Sequence, residues 1–410
     1  MQSERSSLSV PSLLLVLWGC SISVSSEPVT TDLVIDADFP GGNITLEGIE
    51  ANTVILRPDQ RDSSTWWFYW NFRVRGGAGR TVKFQFLGRN PIGTRGPAVS
   101  ADAGHTWSWL GPGTLRDSSF TYTFHNQDNE VRFCFSIPYL ESNLRQFLQK
   151  NVNNPHLAVH ELCRSRGGRS VERLHAGRLA GDPRHRVLLT ARHHACESIA
   201  SYSLEGLLET ALSDTELGRW FCSNVEILAI PFMDTDGVEA GDQGKNRKPH
   251  DHNRDYAGDS IYPSVRALRR FVPEWAAGRL KVVLDLHCPY ISGKHNEVIY
   301  LVGSSDPAIW TQQEKFARIL ESVREGPLPY LAESSLPFGT AWNTAANYGK
   351  QISCSRWASQ QSSVRLASTI EIPYANVGAA VVTGESARAF GHDLALALRQ
   401  YLERLSAGAN

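Results

Sequence analysis

The sequence predicts an α/β domain over residues 151–410, with a mixed, mostly parallel sheet carrying helices on both faces, preceded by an all-β sandwich over 27–150. Three observations predict this. Short β-prone runs separated by Gly, Pro and Asn turns fill 28–150. From 187 onward, apolar strand-like runs alternate with stretches of helical period. A chain of 410 residues, 41% of them hydrophobic, is long enough to bury a sizeable core and make two domains.

The first 26 residues read as a targeting segment. Arg5 precedes a short apolar run at 11–18, and small residues at 24–26 suit cleavage before Glu27. That run is too short to span a bilayer. A second reading stops at Leu17-Trp18-Gly19-Cys20, which resembles a lipoprotein box and would put a lipid anchor at Cys20. Either reading makes an exported protein: periplasmic, extracellular or held at the cell envelope. No later segment reaches ~18 consecutive apolar residues, so no transmembrane segment is expected.

The sandwich strands are expected at 32–36, 43–46, 53–56, 66–74 and 81–86. The run at 66–74 is densely aromatic. With Trp107 and Trp109 it suits either a sandwich core and a packing face or a carbohydrate-binding surface, and the core reading is preferred. In the second domain, strands are expected at 187–190, 225–231, 281–287, 298–302 and 367–373, and helices at 198–212, 265–275, 316–323 and 386–405.

Composition removes one class of function. Forty-one basic and 42 acidic residues give a net charge of −1 with no long basic run, so nucleic acid is not an expected partner. Seven cysteines (Cys20, Cys134, Cys163, Cys196, Cys222, Cys288, Cys354) show no C-x-x-C pair. In an oxidising compartment one or two disulfides are compatible with them, but their spacing assigns no pairing. Cys196 and Cys288 lie beside the motifs described next, and small buried residues are the preferred reading over soft metal ligands.

His194 and Glu197 form a His-x-x-Glu pair just after the apolar run 187–190. Imidazole and carboxylate are the ligand types that hold zinc in hydrolytic sites with a position left open. His287 ends one strand-like run, and Glu371 sits in another among apolar and hydroxyl neighbours. An unpaired carboxylate in a buried strand is costly, which favours a functional role for Glu371 as general base. Asp251-His252-Asn253-Arg254 follows a Gly- and charge-rich loop, and its arginine can grip a carboxylate bidentately. His194, Asp236, His287 and Glu371 all fall at or near strand ends, where α/β folds bind ligands.

The order His194-x-x-Glu197, Asp251-x-Asn253-Arg254, His287, Glu371 resembles the zinc metallocarboxypeptidase family. Asp236-Gly237-Val238 and the aromatic-rich upstream region resemble its cytosolic-carboxypeptidase-like branch, which has bacterial members. The resemblance covers roughly 155–405 and, more loosely, 28–150. It implies one zinc per chain held by His194, Glu197 and His287, with Asp251 orienting the His194 ring. It implies that Glu371 takes the proton of the attacking water, and that Asn253 and Arg254 clamp the terminal carboxylate of a peptide or protein. The family's carbonyl-polarising arginine is assigned to Arg247 in preference to Lys245 and Lys248, in a loop shorter than the family's. The family's substrate-covering tyrosine is assigned to Tyr348, although its offset from Glu371 does not match. Arg356 is either a pocket residue selecting the terminal side chain or a surface arginine. Two other readings stay open: a zinc amidohydrolase acting on a small N-acyl amino acid, and a carbohydrate- or wall-binding surface protein with an inactive hydrolase domain.

Overall fold

The computed structural model describes residues 33–63 and 65–407. The cleavage site before Glu27 and the Cys20 anchor therefore lie outside the described residues. Among the described residues, no helix is long and apolar enough to cross a membrane.

The N-terminal region contains two five-stranded sheets. One runs in the order Val34–Asp36, Asn71–Arg75, Glu130–Cys134, Ala98–Ser100, Ser108–Trp109. The other runs Thr45–Glu50, Thr53–Arg57, Thr81–Phe86, Ser119–Thr123, Leu115–Arg116. Alternation along Thr81–Phe86 buries Val82, Phe84 and Phe86 and leaves Thr81 and Lys83 exposed. The inward rings meet across the sandwich: Phe84 lies 5.1 Å from Phe133 and 5.5 Å from Phe72, and Trp70 lies 4.9 Å from Phe86. Trp67 and Trp70 are core residues, and the partly buried Trp109 donates to the Val382 carbonyl at 2.7 Å.

The aromatic run departs from the single strand expected over 66–74. Only Asn71–Arg75 joins a ladder. Before it, the Phe68 and Tyr69 amides donate to Gln243 Oε1 (2.6 and 3.2 Å), and Gln243 Nε2 donates to the Trp66 carbonyl at 2.9 Å. A glutamine side chain from a distant loop thus takes the place of a neighbouring strand.

A third sheet has seven strands in the order Leu157–Arg164, Ser170–Gly177, Val225–Ile230, His185–Ala191, Leu280–His287, Leu366–Glu371, Tyr300–Val302. The four strands from Val225–Ile230 to Leu366–Glu371 are mutually parallel; the others join antiparallel. Successive residues of the central strands feed opposite cores. Val187 and Leu189 pack on one side, where Ser198–Ala211 and Gly384–Ala407 lie together, while Leu188 and Val283 face Val265, Leu268 and Val272 of Pro263–Ala276. Burial on both faces explains their unbroken apolar character.

Helix Pro307–Val323 begins well before the expected 316, because Asp306 caps it through the Ala308 amide and Pro307 occupies its first turn. The first two strands of the sheet were not expected, since Leu157–Arg164 is half-exposed and polar. All six described cysteines are free.

Candidate active site

Three neighbouring parallel strands, His185–Ala191, Leu280–His287 and Leu366–Glu371, end at the same edge of the sheet. His287 and Glu371 are each the last residue of their strands and are register partners. His194 and Glu197 lie on the turn that follows Ala191 and leads into helix Ser198–Ala211. The loop 241–254 crosses this turn closely: a Cβ on Gly244 would meet the Ala195 nitrogen at 2.5 Å, and Gly244 has φ +80°. Only glycine fits there.

One ligand atom from each of His194, Glu197 and His287 lies within 4.8 Å of the others. Glu197 Oε1 accepts from His194 Nδ1 at 2.8 Å, and Glu197 Oε2 stands 2.8 Å from His287 Nδ1. Glu197 Oε2 nevertheless has no aligned hydrogen bond, and neither does Glu371 Oε2. Two imidazoles, one carboxylate and buried oxygens without donors fit a zinc ion.

Each histidine is backed by a carboxylate at its far nitrogen. Asp251 Oδ1 lies 3.6 Å from His194 Nε2, and Asp285 Oδ2 lies 2.7 Å from His287 Nε2. Such partners fix ring orientation and tautomer. Asp285 was missed in the sequence, although Asp285 and His287 are two apart on a strand and so share a face. The other Asp285 oxygen holds His193 Nδ1 at 2.8 Å, and His193 Nε2 meets the Tyr256 hydroxyl at 2.7 Å. With both nitrogens engaged, His193 is buried support, and the adjacent His194 is the histidine that reaches the cavity.

Charges at the site are strongly coupled. Burial would raise the Glu197 carboxyl, but His194, His287 and Lys245 outweigh it and hold it well below the usual range. Burial raises Glu371 above the ordinary carboxylate value, and Lys245 and His287 only partly oppose this.

His194, Lys245, His287 and Glu371 line a cavity of about 440 Å³, with Glu197 buried behind it. Arg254 and Tyr348 line it, with the guanidinium 4.8 Å from the tyrosine ring. Among the described residues Arg254 forms no ion pair, and its side-chain hydrogen bond goes to the Asn253 carbonyl at 3.2 Å. Asn253 also lines the cavity, with Nδ2 3.1 Å from His287 Nε2 and Oδ1 accepting from the Cys354 amide at 2.9 Å. Thr65, Trp66 and Arg89 bring the β-rich region to the same cavity. Sequence patterning gave no sign of that contribution.

Three residues fall elsewhere. Asp236 lines no part of the cavity and accepts from Ser165 Oγ and the Gly167 amide, each at 2.8 Å. Arg247 is not in the cavity wall. Asp62, Asp234 and Asp242 take its guanidinium at 2.6, 2.7 and 2.7 Å, so it cannot serve as the carbonyl-polarising group. Lys245 lies in the wall instead. Arg356 is exposed and borders a smaller hollow that shares Tyr348 and Ser353 with the main cavity. Cys196 and Cys288 are buried behind the site, with Cys196 Sγ 3.3 Å from the Tyr374 hydroxyl.

Comparison with known proteins agrees with this geometry. The family model described as zinc carboxypeptidase matches residues 144–265. The chain is similar to the zinc carboxypeptidases. Among curated relatives, cytosolic carboxypeptidase 2 of Xenopus tropicalis is 23% identical over 46% of this chain and 20% of its own length. Cytosolic carboxypeptidase 6 of Caenorhabditis elegans is 22% identical over 63% of each. The chain thus spans only about a fifth of the first of these. A solved metallo-carboxypeptidase from Burkholderia cenocepacia superposes with a TM-score of 0.77 at 21% identity, covering 92% of this chain and all of that one. Another from Pseudomonas aeruginosa, in complex with (2-guanidinoethylmercapto)succinic acid, gives 0.71 at 20% identity, over 91% of this chain and 100% of its own. These likenesses show a carboxypeptidase-like α/β fold with a β-rich region ahead of it.

Proposed function

We propose that this chain is a zinc-dependent metallocarboxypeptidase that hydrolyses the C-terminal peptide bond of peptides or proteins. One observation carries the reading: His194 and His287 of the His194–Glu197–His287 cluster, and Glu371, share a cavity with Arg254, an arginine that forms no ion pair among the described residues. A guanidinium left open beside a hydrolytic cluster suits a substrate ending in a free carboxylate.

His194, Glu197 and His287 would hold one zinc ion. Zinc, when bound, acts as a Lewis acid and makes water a better nucleophile at neutral pH. Arg254 forks onto the terminal α-carboxylate, with Tyr348 against its face, and so sets the register of the chain in the cavity. Glu371 takes the proton from the attacking water and passes it to the leaving amine nitrogen. A carboxyl raised by burial suits both tasks, since it accepts a proton more readily than an ordinary glutamate. The leader-like N-terminus belongs to the same proposal, with export and cleavage between Cys20 and Glu27; sequencing of the mature N-terminus tests that part.

The activity is tested by incubating one peptide and its C-terminal amide with the protein and reading single amino-acid release by mass spectrometry. Amidation leaves the Arg254 fork poorly paired, at roughly 2–5 kcal/mol, or on the order of 30- to several-thousand-fold in kcat/KM. Arg254→Ala should narrow that gap. Equal wild-type turnover of the two substrates overturns the reading in favour of an endopeptidase or another amidohydrolase.

A further inference from the structure

We propose that Arg89 and Trp66, both from the β-rich region, form a subsite for the peptide main chain upstream of the scissile bond. The substrate is then a peptide with at least one amide carbonyl beyond the one that is cut. A single acylated amino acid leaves the subsite empty. This subsite rests on the carboxypeptidase reading and narrows its substrate class.

Contacts around the cavity place the metal cluster between two arginines. On one side lies Arg254, joined to it through the neighbouring Asn253, whose Nδ2 stands 3.1 Å from His287 Nε2. On the other side Lys245 pairs with Glu197 and lies 5.6 Å from the centre of the Tyr290 ring. Tyr290 stacks on Trp66 with the planes 5° apart and the centres 6.2 Å apart. The Arg89 guanidinium in turn lies 3.9 Å over the Trp66 ring. With Arg254 on the terminal carboxylate, the terminal residue lies between Arg254 and the metal cluster. The wall beyond the cluster, where Trp66 and Arg89 stand, faces the residues that precede the cut.

Arg89 suits a main-chain acceptor. Among the described residues its guanidinium has no ion pair and no hydrogen bond, although it lines the cavity. With one face against Trp66, its N–H groups remain free around the edge of the planar fork. Stacking on the ring also narrows the freedom of an otherwise exposed side chain. The shelf beneath it is held. The Tyr290 hydroxyl accepts from Asn246 Nδ2 at 3.0 Å and lies 3.2 Å from Thr65 Oγ1. Phe68 packs edge-on against both rings, with centres 5.5 Å from Trp66 and 5.4 Å from Tyr290. An extended peptide offers a carbonyl at every residue whatever its side chain, so a donor fixed beside its path serves peptides of any sequence.

The test measures kcat/KM for release of the C-terminal residue by wild type and Arg89→Ala. The substrates are N-acetylated peptides with a free carboxylate and neutral side chains, lengthened one residue at a time on the N-terminal side from a single acetylated amino acid. A second version of the longest carries a glutamate upstream. Arg89 is exposed, so its substitution should leave folding intact. Wild type should gain at least about tenfold along the neutral series, the scale of a hydrogen bond to a charged group. Arg89→Ala should flatten that gain. A wild type equally fast at every length overturns the subsite. So does an Arg89→Ala loss of one size at every length, which marks damage to the whole site, or a loss confined to the glutamate peptide, which marks recognition of a side chain. A wild type that releases no C-terminal residue at any length overturns the carboxypeptidase reading itself, an outcome distinct from these.

Discussion

The two ends of the parallel strands bury acidic side chains in opposite ways. At the amino end, Glu226 is saturated: His175 Nδ1 at 2.9 Å, Arg186 Nε at 2.7 Å and Trp275 Nε1 at 2.7 Å all reach its carboxylate. At the carboxyl end, Glu197, Asp251 and Glu371 each keep a buried oxygen without a hydrogen bond. A fully donated carboxylate stabilises the native state, whereas one left short of donors costs stability and stays available to a ligand or a proton. Titration follows the same divide. Burial would raise Glu226, but its three donors bring it down to about 2, while Glu371 is raised.

The comparison can be broken most sharply by removing a ligand. His287→Ala should abolish stoichiometric zinc, measured by metal analysis of the purified protein, and take activity below detection; retention of about one zinc per chain would refute the cluster. Glu371→Gln comes next. It should keep zinc and lose at least ~10²-fold in kcat, yet unfold at the same temperature or higher, because it removes a carboxyl that burial disfavours. A large fall in melting temperature would show that Glu371 is structural, like Glu226.

Glu226→Gln should do the reverse. It weakens three donated bonds and costs roughly 1–3 kcal/mol by denaturant unfolding, with kcat unchanged. The smallest effect is read from pH. Glu226 titrates lower in the folded chain than its ordinary 4.5, so its contribution is complete above that value and is lost as pH falls toward about 2. His185, which burial lowers to about 4, adds to this: the unfolded chain takes up its proton first, so stability declines as pH falls from 6.5 to 4. Unfolding midpoints of wild type and Glu226→Gln should therefore draw together as pH falls from 4.5 toward about 2. A constant gap across that range would contradict the assigned shift.

Much of the carboxyl edge was legible in the sequence because its residues end apolar runs. His287 and Glu371 close strands whose unbroken apolar character marks them as buried on both faces. What was not legible depends on contacts distant in sequence. Spacing alone could not say which of Lys245, Arg247 and Lys248 faces inward, since Asp62, far upstream, decides that Arg247 turns away. Nor could β propensity show that 66–70 would lie extended against Gln243 rather than in a sheet, because the partner is a side chain. The half-exposed Leu157–Arg164 escaped detection for a different reason: an edge strand with a polar face carries little apolar signal.

Gln243 carries a consequence for how such a chain can be recombined. Its amide joins the 66–69 backbone to the loop bearing Lys245, so the β-rich region cannot be exchanged as a cassette at a boundary near 150. A chimera that imports a foreign first half must match 62–69 to the segment 242–248, or it will inherit an intact sheet and all three metal-binding side chains around a loop with nothing to lean on.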